Sequence, residues 1–131
     1  GTLSGNPIAT AAGIATLKEL FEHPEIYKNI DESTKTLSEG IEKIMNSDKK
    51  RVHINRVGSL MSVFFTSKSV SCYEDVLSCD LDKYASYYRF LRENGIYIAP
   101  SQFEAAFISD AHDSEDIKNT LDVIKRFGGV E

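Results

Sequence analysis

The 131 residues are 41% apolar and 27% charged, the balance of one soluble globular domain able to bury roughly two-thirds of its unfolded surface. A formal charge of −5 argues against nucleic acid as a partner, and no apolar run approaches the ~18 residues of a membrane helix. Two cysteines, Cys72 and Cys79, offer neither metal-ligand spacing nor a disulfide framework, so they read as free thiols of a reducing, cytoplasmic compartment.

The chain opens on Gly1-Thr2-Leu3-Ser4-Gly5-Asn6-Pro7. Two glycines, two hydroxyls, an amide and a proline suit a loop that approaches an anion and turns into a helix. A plain capping loop has the same composition. Asn6 caps the helix and Pro7 takes its first position, where a missing N–H costs nothing. Ile8, Ala11, Ala12, Ala15, Leu17, Leu20 and Phe21 follow helical spacing. Gly13 among small residues predicts close approach of another backbone.

His23-Pro24 breaks this helix. Ile26, Ile30, Thr34, Leu37, Ile41 and Ile44 or Met45 mark the apolar stripe of a second one. Residues 46–50 are a polar turn, and Lys49-Lys50-Arg51 reads as a solvated basic run. Val52, Ile54 and Arg56 alternate with polar residues as a half-buried strand does. Gly58-Ser59 turns the chain into a buried strand over Leu60 to Phe65, predicting a hairpin across 51–66.

Residues 67–79 read as a loop with a helical turn near Tyr73 to Leu77. Asp80 caps a helix carrying Leu81, Tyr84, Tyr88 and Leu91, which Asn94-Gly95 ends. Ile96 to Ala99 and Ala105 to Ile108 read as two further strands, paired around 101–104. Asp113 with Asp116 approximates a capping box for a last helix bearing Ile117, Leu121 and Ile124, closed by Gly128-Gly129. The sum is an α+β fold. A small, mainly antiparallel sheet of three to four strands is covered by about four helices over residues 1–131.

The candidates for chemistry are few. His23, His53 and His112 sit in no metal-ligand spacing with another donor, so no metal site is expected. Tyr84, Tyr87 and Tyr88 at helical spacing read as packing. Glu104, between Phe103 and an apolar strand, reads as partly desolvated.

The opening Gly1-Thr2-Leu3-Ser4-Gly5-Asn6-Pro7-Ile8-Ala9 resembles the start of the C-terminal domain of class III aminotransferases, enzymes that use pyridoxal 5′-phosphate (PLP) on fold type I. Ser71-Cys72-Tyr73-Glu74-Asp75-Val76, Cys79-Asp80, Tyr97-Ile98-Ala99-Pro100-Ser101-Gln102-Phe103-Glu104-Ala105-Ala106-Phe107 and Ala111-His112-Asp113-Ser114-Glu115-Asp116-Ile117 extend the likeness in order along the chain. Pro100-Ser101-Gln102-Phe103-Glu104-Ala105 favours the aminomutases of that family, which move an amino group within glutamate-1-semialdehyde to give 5-aminolevulinate, the tetrapyrrole precursor. Ala106 departs from the glycine common there.

The resemblance implies that Gly1 and Thr2 reach the PLP phosphate of the other subunit of a cytoplasmic homodimer. It puts Glu104 at the substrate end of the site. Ser4, Gly5, Asn6 and Pro7 then shape the loop. In the family the Schiff-base lysine precedes the Gly-Thr motif, so the resemblance implies that it lies upstream, in a large domain; no lysine of this chain lies at a strand end beside glycines. The chain alone is then expected to fold, to bind no PLP and to be inactive. Its faces toward the large domain should be apolar. The alternatives are another class III aminotransferase, or a dimerisation or binding module without catalysis.

Overall fold

The computed structural model describes residues 1–49 and 51–128. Lys50 of the basic run and Gly129 of the closing pair lie outside them. The elements are α1 (Pro7–Glu22), α2 (Glu25–Met45), β1 (His53–Val57), β2 (Leu60–Phe64), α3 (Tyr73–Leu77), α4 (Leu81–Glu93), β3 (Ala106–Phe107) and α5 (Ser114–Gly128). The strands form one antiparallel sheet, in the order β1-β2-β3.

Helix α2 follows its stripe: Thr34, Leu37, Ile41 and Met45 are buried. Leu37, Ile41 and Met45 meet Ile117, Val123, Ile124 and Phe127 of α5 in a common core with Val52, Met61 and Leu91. Gly40 lets the two helices approach. A Cβ there would lie 2.6 and 2.7 Å from the methyls of Leu121. Asn46 ends α2 and starts β1 at once. Its Oδ1 accepts from Arg51 N at 2.7 Å and Val52 N at 2.9 Å, and its Nδ2 donates to Val52 O at 3.1 Å. Arg51 is therefore no solvated residue: it pairs with Asp48 at 2.8 Å and is mostly covered.

The hairpin pairs Ile54 with Val63 and Val57 with Leu60. Gly58, at φ +56°, supplies the positive φ that a tight connection needs at its first central residue. Alternation puts Arg56 on the helix side with Ile54, where its guanidinium donates to Asp31 of α2 at 2.6 Å. On the opposite face Phe64 packs with Val70 and Cys79.

Two expectations change. Ile96 to Ala99 is not a strand, because no strand lies beside it. β3 spends its two residues on Leu60 and Met61 of β2. Instead, Ile96 N donates to Leu91 O at 2.9 Å behind Gly95 (φ +82°), and Ile96 and Ile98 turn inward against the core. The second hairpin does not form. Gly13, too, meets nothing beyond its own turn of helix: no other atom lies within 4 Å of where its Cβ would be. Helix α1 buries no residue at all, although Asn6 and Pro7 cap it as expected.

Candidate functional site

The opening loop is a pair of turns. Ser4 N donates to Gly1 O and Asn6 N to Leu3 O, each at 3.0 Å. Gly5 sits at φ +74°, the region glycine enters without strain. A Cβ on Gly1 would come 2.8 Å from Ser4 Oγ, so a side chain there would require the Ser4 hydroxyl to turn away. Asn6 Oδ1 accepts from Ile8 N and Ala9 N at 3.1 Å, which occupies those two free helix amides. Thr2 is exposed and makes no hydrogen bond to a described residue. Its hydroxyl and amide are among the unclaimed donors of the turn.

Glu104 sits in the second region. After Pro100 the chain makes a turn in which Glu104 N donates to Ser101 O at 3.1 Å and Phe103 N to Ser101 Oγ at 3.2 Å. Glu104 is exposed, against the expected desolvation. The turn ends before β3 begins at Ala106, so its flanking apolar residues do not fold over it. Glu104 borders a cavity of about 770 Å³ shared with Tyr84, Ile98, Ala106, Asp116 and Asn119. Burial, and after it the charge of Glu104, raises the Tyr84 hydroxyl to about 12.

The aromatic residues of α4 do two jobs. Tyr84 and Tyr87 pack with Phe65 and Phe127 at centroid distances of 5.4 to 6.5 Å, the edge-on and tilted contacts expected of core rings. Tyr84 Oη also donates to Ala99 O at 2.9 Å, fixing the strandless segment before the turn. From the other side, buried Gln102 donates from Nε2 to Val76 O of α3 at 3.1 Å. Neither anchor was expected from the sequence. No residue of the opening loop lines the Glu104 cavity, so the chain alone does not bring Gly1 and Thr2 to Glu104.

The remaining candidates are structural. Both cysteines are free, Cys79 buried and Cys72 at the start of α3. Asp75 of α3 accepts from Ser71 N at 2.9 Å and from Cys72 N at 3.2 Å; the Ser71 bond, chiefly, holds its carboxyl below the usual range. His112 Nδ1 lies 3.1 Å from Ser109 N, closing a turn ahead of α5. Asp113 and Asp116 bond each other's backbone N–H, the capping box expected. Among the described residues no group of three acidic, histidine or cysteine side chains could hold a metal, and no helix is long and apolar enough to cross a membrane.

The family model of class III aminotransferases matches residues 1–126. The chain belongs to the class III aminotransferase family. It is 48% identical, over 127 residues, to the glutamate-1-semialdehyde 2,1-aminomutase of Acetivibrio thermocellus. That match takes in 97% of this chain and 29% of the relative. A β-phenylalanine aminotransferase from Variovorax paradoxus superposes with a TM-score of 0.69 over 77% of this chain and 23% of its own. At 21% identity it speaks for the fold alone. Class III membership implies PLP in the full-length enzyme. It also accounts for a sheet this small. A unit spanning less than a third of a relative's length need not supply a complete active site by itself.

Proposed function

We propose that residues 1–131 form the C-terminal small domain, with its leading helix, of a glutamate-1-semialdehyde 2,1-aminomutase. The parent, a cytoplasmic homodimer in this reading, converts glutamate-1-semialdehyde to 5-aminolevulinate. The observation that carries this is 48% identity over 97% of the chain. In this reading the Schiff-base lysine belongs to the upstream large domain, and the 131 residues alone are inactive.

Gly1 and Thr2 hold the phosphate of PLP bound mainly by the partner subunit. The donor set supports this. The Thr2 hydroxyl and amide are unclaimed, and Gly1 beside it carries no side chain to shield them. When bound, PLP supplies an electron sink that stabilises charge beside the substrate nitrogen. Glu104, exposed and anionic, pairs with the substrate's ammonium group and orients the chain of carbons. Its exposure suits a ligand that arrives from outside this domain.

The test is a spectrum and an assay of the intact gene product. After dialysis against PLP-free buffer the parent should keep a near-visible cofactor band and turn over glutamate-1-semialdehyde without an external amino acceptor. Thr2→Val should weaken PLP retention, and Glu104→Gln should raise KM by about tenfold with the band unchanged. Turnover that needs an external acceptor would replace this reading with another class III aminotransferase. No retained cofactor would leave a binding module.

A further inference from the structure

The turn that carries Glu104 is pinned at both ends by side chains from elsewhere in the fold. Tyr84 of α4 holds Ala99 before it. Gln102, 2% exposed, reaches across 26 residues of sequence to the carbonyl of Val76 in α3. Phe103 then lies against Tyr73 of the same helix, ring centroids 6.1 Å apart. Two successive residues of the turn are thus fastened to one short helix, directly ahead of Glu104.

Packing alone does not explain an amide at position 102. Gln102 Oε1 is buried and accepts no hydrogen bond from the described residues. An apolar side chain of similar length would fill the same space without that desolvation cost. What glutamine adds is the Nε2 donor, and its acceptor is Val76 O.

We infer that Gln102 is a positioning residue for substrate recognition, holding Glu104 in register by tying its turn to α3. The inference rests on the role given above to Glu104. Losing the tie leaves the Tyr84 anchor and the core intact, so the turn loosens locally. Glu104 then samples several placements, and its ion pair with the substrate weakens. The step after binding is untouched. The expected signature is a change in KM with kcat nearly constant.

The experiment uses the intact enzyme. Gln102→Met keeps the length and loses the donor. Gln102→Leu, the second variant in case the first folds poorly, also lacks the donor and brings no titratable group into the buried site. Amide hydrogen exchange is read at Phe103 and Glu104, and steady-state kinetics are measured with glutamate-1-semialdehyde in wild-type and Glu104→Gln backgrounds. Exchange at the two amides should quicken by about fivefold or more, with α5 unchanged. KM should rise by about five- to tenfold alone, and hardly further once Glu104 is already Gln. Unaltered exchange would overturn the inference. So would a KM rise equally large in the Glu104→Gln background. If the intact protein turns over no glutamate-1-semialdehyde, the functional reading fails separately. Exchange then decides alone: faster exchange upholds the tie to the Glu104 turn, and unchanged exchange refutes it.

Discussion

Gly40→Ala tests whether α2 and α5 meet as closely as described. In an open helix this change gains about 1 kcal/mol, because alanine loses less backbone freedom than glycine. Here the new Cβ would stand 2.6 Å from one Leu121 methyl, 2.7 Å from the other and 3.3 Å from Cγ. A rotation about the last side-chain bond cannot relieve both methyls, so Leu121 must change χ1 or the helices must part. Overpacking of this kind costs about 1–3 kcal/mol. The net expectation is a loss of about 1 kcal/mol, or about 4 °C in Tm for a domain of this size. Urea titration followed by far-UV circular dichroism measures it. The same change in a Leu121→Ala background should have the opposite sign, a gain of about 1 kcal/mol, since the obstructing methyls are gone. Equal effects of Gly40→Ala in the two backgrounds would refute the close approach. So would stabilisation of the wild type.

Asn46→Ala removes all three side-chain bonds that join the end of α2 to β1 and leaves the N–H of buried Val52 without its acceptor. A loss of about 2 kcal/mol is expected by urea titration, whereas Asn46→Asp should keep the two accepting bonds and lose less. Asp75 has its pKa lowered by the fold, first through Ser71 N, so its contribution is complete above its unfolded value of about 3.9 and fades as pH falls through the lower folded value. The amides of Ser71 and Cys72 should therefore exchange faster only in that acidic window, and Asp75→Asn should abolish the dependence. Tyr84 titrates at about 12, first because it is buried and then because Glu104 is near. Its folded value lies above the unfolded one near 10, so its share of stability is whole below about pH 10 and is lost as pH rises through 12. Spectrophotometric titration should show Glu104→Gln lowering the Tyr84 pKa; no shift would mean that the carboxylate points away.

Local patterns in the sequence reach as far as local causes do. The α2 stripe, the Asn6-Pro7 start, the Asp113–Asp116 box and the Gly58 turn are each settled by residues within a few positions, and each stands where its pattern puts it. Ile96 to Ala99 alternates like a strand, but a strand also needs a neighbour, and β2 gives its free edge to Ala106 and Phe107. Glu104 has apolar neighbours in sequence and open space around it, because a turn separates them. Gln102 reads as an ordinary polar loop residue. Its partner, Val76 O, lies in a different element, and no local pattern announces such a bond.

Helix α1 has sixteen residues, and none of them is fully buried. Leu3, Ile8, Leu17 and Phe21 are all at least two-thirds exposed, so in water it stands on local hydrogen bonds alone, and a helix of this length is then marginal. The opening turn is bonded to its first amides through Asn6. Whatever stabilises the turn therefore stabilises the helix, and whatever covers the helix preorganises the turn. On the proposed phosphate role of Thr2, anion affinity there and the helix content of residues 7–22 would be two readings of a single equilibrium. A phosphate titration and a helicity measurement should then report the same transition.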